Sequence, residues 1–117
     1  MNDINHINLK HGNAVREAVF KFLVPLQTTR VIDRAAFEEL FQAVKSLATE
    51  LKRHDLLPKA LLNEVHTTSK VLRNEAPYFR GETTELEGMA NKLELVFNLI
   101  LLGEGMEDRV PGVPRII

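Results

Sequence analysis

The groups in this 117-residue chain best suited to acid–base or metal chemistry are four histidines and sixteen carboxylates, because cysteine is absent. The histidines are His6, His11, His54 and His66. Two ligands on one helix reach a common metal when they stand three or four residues apart, on the same face. His6 and His11 are five apart, Glu64 and His66 are two apart, and His54 and Asp55 are neighbours. None of these spacings converges. The Glu-x-x-His pair that bundle di-metal centres require does not occur. No metal and no cofactor is expected.

Carboxylate pairs such as Glu38–Glu39 and Glu85–Glu87 are present. Acid–base catalysis needs one member in an apolar pocket that raises its pKa. The pattern around these pairs places them on solvated faces. Glu94, between Leu93 and Leu95, is the acid expected to be partly buried or held in a structural ion pair. There is no G-x-S-x-G and no Ser-x-x-Lys nucleophile motif, and no glycine loop for phosphate. Gly103-x-Gly105 follows an apolar helical run and reads as a C-terminal cap. The chain is expected not to be an enzyme.

Charge is nearly balanced, with fifteen Lys and Arg against sixteen Asp and Glu. That argues against a general nucleic-acid binder, which carries a basic excess. The charge is unevenly placed along the chain. Residues 82–108 hold seven acids (Glu82, Glu85, Glu87, Glu94, Glu104, Glu107, Asp108) and one base, Lys92. They could form one acidic surface, or be spread and neutralised by neighbours. Arg53-His54 and Lys59 around a helix–helix turn faintly resemble a helix-turn-helix reader. Nucleic acid is only the third-ranked partner.

The stretch RNEAPYFRGE, residues 73–82, concentrates the side-chain types enriched at protein-binding hot spots. Phe79 either joins a contact surface or plugs one end of the fold while the arginines pair with acids.

These groups must be carried by helices. Residues Thr84–Leu102 place Leu86, Met89, Ala90, Leu93, Val96, Phe97 and Ile100 at one-face helical spacing. Leu95, Leu99, Leu101 and Leu102 make the second half apolar nearly all round, which requires cover on every side. Thr84 with Glu87 reads as its capping box. Residues 34–53 give the cleanest amphipathic pattern, with Asp33 as N-cap and Ile32 and Phe37 as a hydrophobic staple. Lys52 and Arg53 are expected in its last turn.

Residues 58–76 form a third helix, with Asp55 as its cap, Pro58 in its first turn and Pro77 ending it. In the first segment Ile4, Ile7, Val15, Ala18, Phe22 and Leu26 share one stripe. Gly12 either sits inside a continuous helix or marks a turn before one capped at Asn13. Pro25 is expected to end or kink this helix.

After Gly105 the periodicity stops. The segment 105–117 is read as an extended tail whose Val110, Val113, Ile116 and Ile117 fold back over the bundle or dock on a partner. The expected architecture is a single all-α domain, a four-helix up-down bundle with this tail. No segment has the length of a membrane span, and no secretory leader is read at MNDINHINLK, so a cytoplasmic location is expected.

By elimination, the expected role is binding another protein, as an inhibitor or immunity-type module that neutralises a toxin or effector. The contact residues are expected to be Tyr78, Phe79, Arg80, Glu82, Glu85, Glu87, Glu104, Glu107 and Asp108. The alternatives are a homo-oligomeric structural or regulatory bundle pairing through Leu95, Leu99 and Leu102, and a nucleic-acid-binding regulator using Arg53, Lys59 and Arg73.

Overall fold

The computed structural model describes residues 3–108, with only the backbone of residues 3–5, 8 and 9. Four α-helices follow in order: α1 (Asp3–Thr28), α2 (Arg34–Leu51), α3 (Lys59–Glu75) and α4 (Thr83–Leu102). Short 3-10 turns lie at Ala76–Tyr78 and Met106–Asp108, and there is no strand among the described residues. The fold is all-α.

α1 is continuous through Gly12 and Pro25. Gly12 is buried, and a Cβ there would lie 3.7 Å from Leu61 Cδ2 on α3. The helix accepts the propensity cost, about 1 kcal/mol relative to alanine, where it approaches α3 closely. The expected break at Pro25 does not occur there; α1 runs to Thr28, so only the last turn follows the proline. The missing N–H leaves one carbonyl, that of Lys21, without its helical donor. The carbonyl of Pro25 accepts from Thr29 N (3.0 Å) and Val31 N (3.1 Å), and Arg30 turns the chain at φ 60°.

α2 starts as its sequence dictates. Asp33 Oδ1 accepts from Ala36 N at 2.9 Å, and Ile32 and Phe37 are both buried. Its inward stripe is Ala36, Phe37, Leu40, Val44, Leu47, Ala48 and Leu51. The helix ends at Leu51, so Lys52 caps it from outside and Arg53 lies beyond it. α3 begins one residue later than expected, with Pro58 itself at the N-cap and no side chain capping it; Asp55 is exposed in the preceding loop.

The α4 capping box does not form. Glu82 holds the N-cap position without a side-chain bond, and Thr84 already lies inside the helix. Its neighbour Thr83 spends its hydroxyl on the preceding turn, donating to the carbonyls of Ala76 (2.9 Å) and Phe79 (3.2 Å). At the other end Gly103 takes φ 75°, with Gly103 N donating to Ile100 O and Glu104 N to Leu99 O at 2.8 Å. These two bonds are the Schellman arrangement expected of a terminal glycine.

The helices alternate in direction. α1 packs on α2, and α3 packs on α4, as two antiparallel hairpins. Lys10–Glu50 (3.3 Å) and Lys21–Glu39 (3.8 Å) record the antiparallel register of the first pair. The hairpins then pack with α1 beside α3 and α2 beside α4. Those neighbours run parallel: Arg34 at the start of α2 reaches Glu82 and Glu85 at the start of α4. The α2–α3 connection therefore crosses the diagonal of the bundle.

The core is contiguous, with Phe22, Leu26, Leu40, Leu47, Leu51, Leu61, Leu72, Leu86 and Leu93 fully buried. Each such side chain contributes about 1.5–3 kcal/mol of transfer free energy. α4 is not covered all round: Leu101 and Leu102 are exposed and Leu95 is half-buried. The segment after Gly105 is also not extended from its start, since Met106–Asp108 form a 3-10 turn against α2. The docking of Val110, Val113, Ile116 and Ile117 falls outside the described residues, as does the Ile4 side chain.

Candidate functional site

The residues expected to contact a partner separate to opposite ends of the molecule. α4 spans 20 residues, about 30 Å at 1.5 Å per residue. Tyr78, Phe79, Arg80, Glu82, Glu85 and Glu87 lie at its start; Glu104, Glu107 and Asp108 lie beyond its end. The acids are spread between the two ends, and Glu82, Glu85, Glu94, Glu107 and Asp108 are paired with cations.

At the first end, Pro77 stops α3 and the chain tightens into the turn Ala76–Tyr78. Phe79 N donates to Ala76 O at 3.1 Å, and Glu82 N to Phe79 O at 3.0 Å. Gly81 takes φ 82°, which the reversal into α4 needs. These bonds turn Phe79 inward, where it is 5% exposed, and Tyr78 outward, where it is 74% exposed. Phe79 thus plugs the bundle end. The guanidinium of Arg30 lies 5.7 Å from its ring centroid and pairs with Glu75. Arg80 is exposed.

Glu82 and Glu85 are held by one cation. Arg34 Nε donates to Glu85 Oε2 (2.6 Å), and Arg34 Nη2 donates to Glu85 Oε1 (2.8 Å) and Glu82 Oε2 (3.1 Å). The two-pronged contact keeps the Glu85 carboxyl below the usual carboxylate range and raises the Arg34 guanidinium. Glu87 is exposed. Arg73, in the last turn of α3, reaches across to α4. It donates to Glu94 (2.6 and 3.0 Å) and to Asn91 Oδ1 (2.7 Å). Glu94 is therefore a structural ion-pair member, as its position between leucines implied, and Arg73's bonds lower its carboxyl pKa.

At the far end, Lys52 Nζ lies 3.2 Å from Glu107 Oε1 and 2.9 Å from Asp108 Oδ2. The Lys52 ammonium is raised by these bonds. Asp108 also receives the Gly105 amide at 2.9 Å, which closes the 3-10 turn. Of the three leucines expected to pair two copies, Leu99 is 2% exposed, Leu95 is half-buried and Leu102 is open. Arg53 and Lys59 flank the α2–α3 turn, while Arg73 is almost a full helix length from Lys59. That basic trio does not converge.

One ionisable residue was missed. His11 lies in the α1–α2 seam, 8% exposed, with Nε2 lacking a hydrogen-bond partner. Glu50 Oε1 is 3.8 Å from it. Burial lowers the His11 pKa, partly offset by the Glu50 charge, while Lys10 and His6 lower it further. Its place on the Ile7, His11, Val15 row was the available signal.

Among the described residues no three His, Asp or Glu side chains are grouped to hold a metal ion. No described helix is long and apolar enough to cross a membrane. Comparisons with protein-family models, with curated proteins and with solved structures find no match for this chain.

Proposed function

We propose that this chain acts by occupancy, not catalysis: it binds another protein as an inhibitor of immunity type, neutralising a toxin or effector in the cytoplasm. The observation that carries this reading is the placement of Tyr78. Its ring is three-quarters exposed on a turn fixed from below by buried Phe79 and by the Thr83 hydroxyl. The turn that presents the ring loses little backbone freedom on binding, and the ring offers a large contact area, which is the character of a hot-spot anchor. Exposed Arg80 beside it adds a donor fork for a partner carboxylate or carbonyl.

The test is affinity purification from the source cell with the wild-type chain and with Tyr78→Ala/Arg80→Ala. One protein captured by the first and lost by the second, whose toxicity the chain suppresses on co-expression, is the expected result. Equal capture by both, or a captured protein whose activity is unchanged, refutes it.

A second reading, self-association, rests on Leu56, Leu101 and Leu102, which are 77%, 56% and 42% exposed. Sedimentation of the full chain as a monomer at high concentration removes it.

A further inference from the structure

We infer that residues 109–117 dock back on the aliphatic edge where α4 ends, covering the Lys52 end of the bundle from within the same chain. Three features of the described residues meet there.

The first is the edge itself. Leu101 and Leu102 close α4 at 56% and 42% exposure, and Leu56, in the α2–α3 connection, is 77% exposed. Between α4 and that connection lies a recess of about 340 Å³, with Lys52, Asp55, Leu57, Leu101, Leu102 and Gly103 among its lining.

The second is unmet polarity beside the leucines. The amides of Gly103 and Glu104 serve the carbonyls of Ile100 and Leu99. The carbonyls of Leu101 and Leu102 accept no backbone hydrogen bond among the described residues. α4 has no basic side chain in its last turn, where the helix dipole favours a cation. Asp55 is exposed and makes no ion pair among the described residues. The edge therefore asks for aliphatic side chains and a cation together.

The third is tethering. Asp108 is held by Lys52 Nζ at 2.9 Å and by the Gly105 amide at 2.9 Å, and Lys52 itself lines the recess. Residue 109 therefore starts at its rim. The residues from there are RVPGVPRII. Val110 and Val113 each precede a proline, a step that favours extended or polyproline geometry. At three residues per turn, Val110, Val113 and Ile116 share one ridge, and Arg109 and Arg115 share another. The first ridge supplies aliphatic cover. The guanidinium groups, all donor and no acceptor, match the open carbonyls and Asp55. Seven residues of such a segment reach about 20 Å, enough to cross the end of α4. A short tether gives an effective concentration on the order of millimolar, which favours the same chain over a second copy. This inference does not rest on the Tyr78 reading, and it competes with pairing of copies through the same leucines.

The chain has no cysteine, so a nitroxide can be placed singly at Ile117→Cys, off the valine ridge. Paramagnetic broadening is then read from the amide signals of the isotope-labelled full chain. Strong broadening is expected at residues 54–57 and 101–103. It should be lost in Val113→Asp/Ile116→Asp and in Leu101→Glu/Leu102→Glu. Leu101 and Leu102 are exposed, so the fold is retained in the second variant. A mixture of nitroxide-bearing chains without isotope and isotope-labelled chains without nitroxide should show no broadening. Broadening that persists in both variants, that centres on Tyr78, or that is absent altogether would overturn the inference. So would broadening in the mixture, which would assign the edge to a second copy.

Discussion

The two ends of the bundle use the same charge arithmetic to different effect. At one, Arg34 holds Glu82 and Glu85; at the other, Lys52 holds Glu107 and Asp108. Arg34 ties two parallel helices together at their starts, and beside it Phe79 turns in while Tyr78 turns out. Lys52 ties a helix end to the short turn that follows α4, and the apolar side chains beside it, Leu101 and Leu102, stay outside. One cation holding two carboxylates therefore stands beside an exposed aromatic ring at one end and beside an aliphatic edge at the other. Neutralised acids do not make an acidic docking face, so the net charge of a segment is a poor guide to what its surface offers.

The sharpest way to break this comparison is at the adjacent aromatics of the first end. Phe79→Ala removes a ring that is 5% exposed and leaves a cavity under Arg30; a loss of about 3 kcal/mol is expected. Tyr78→Ala removes a ring that is 74% exposed and should move stability by no more than about 0.5 kcal/mol. Urea unfolding of the two variants checks both. Similar losses would mean that Tyr78 is part of the core support and not a free anchor.

Glycines sharpen the contrast next. Gly103 adopts φ 75°, and a Cβ there would stand 3.3 Å from the Lys52 carbonyl. Gly103→Ala should cost about 1–2 kcal/mol. Gly88→Ala meets open space inside a helix and should instead stabilise by about 0.5–1 kcal/mol. Thermal melts of the pair give opposite signs. A destabilised Gly88→Ala would show that α4 needs that glycine for its own packing.

What could be read ahead of the structure was what local chemistry controls. Asp33 with its staple, Gly103 as a cap and the inward stripes of α2 and α4 needed only periodicity and cap rules. Gly12 was ambiguous because its reason, the approach of Leu61 from α3, is tertiary. The capping box of Thr84 failed because Thr83 one position earlier serves the carbonyls of the preceding turn. The diagonal α2–α3 connection and the split of the acids between two ends depend on which helices become neighbours, and a stripe does not name its partner. For the candidate contacts, Tyr78 and Phe79 could be singled out by type, but their opposite orientations follow from hydrogen bonds of a 3-10 turn. Lys45 and Lys92 meet at the Phe41 ring only once α2 and α4 are set side by side, which no stripe announces.

Acid should loosen the two ends in a definite order. His11 and Glu50 belong to the Lys52 end, and the His11 pKa is lowered by burial. Between that lowered value and the ordinary histidine value of about 6.5, the unfolded chain binds a proton that the folded chain does not. Stability must then fall as pH falls through that window. Glu85, at the Tyr78 end, is lowered by its Arg34 bonds. Its contribution is intact above the unfolded carboxylate value of about 4.3 and is lost only as pH falls further, through the folded value. Glu50 and Glu107 are lowered too, so the Lys52 end meets a carboxylate step after its histidine step. Hydrogen exchange followed from pH 7 downward should therefore show amides of α1 near His11 and of α2 near Glu50 opening first, after correction for the intrinsic rate. Those around Arg34 and Glu85 should hold until the carboxylates titrate. His11→Leu should abolish the early step and leave the late one. An early step that survives this substitution would move its origin away from the orphaned imidazole, and simultaneous opening of both ends would mean that the bundle unfolds in acid as one unit.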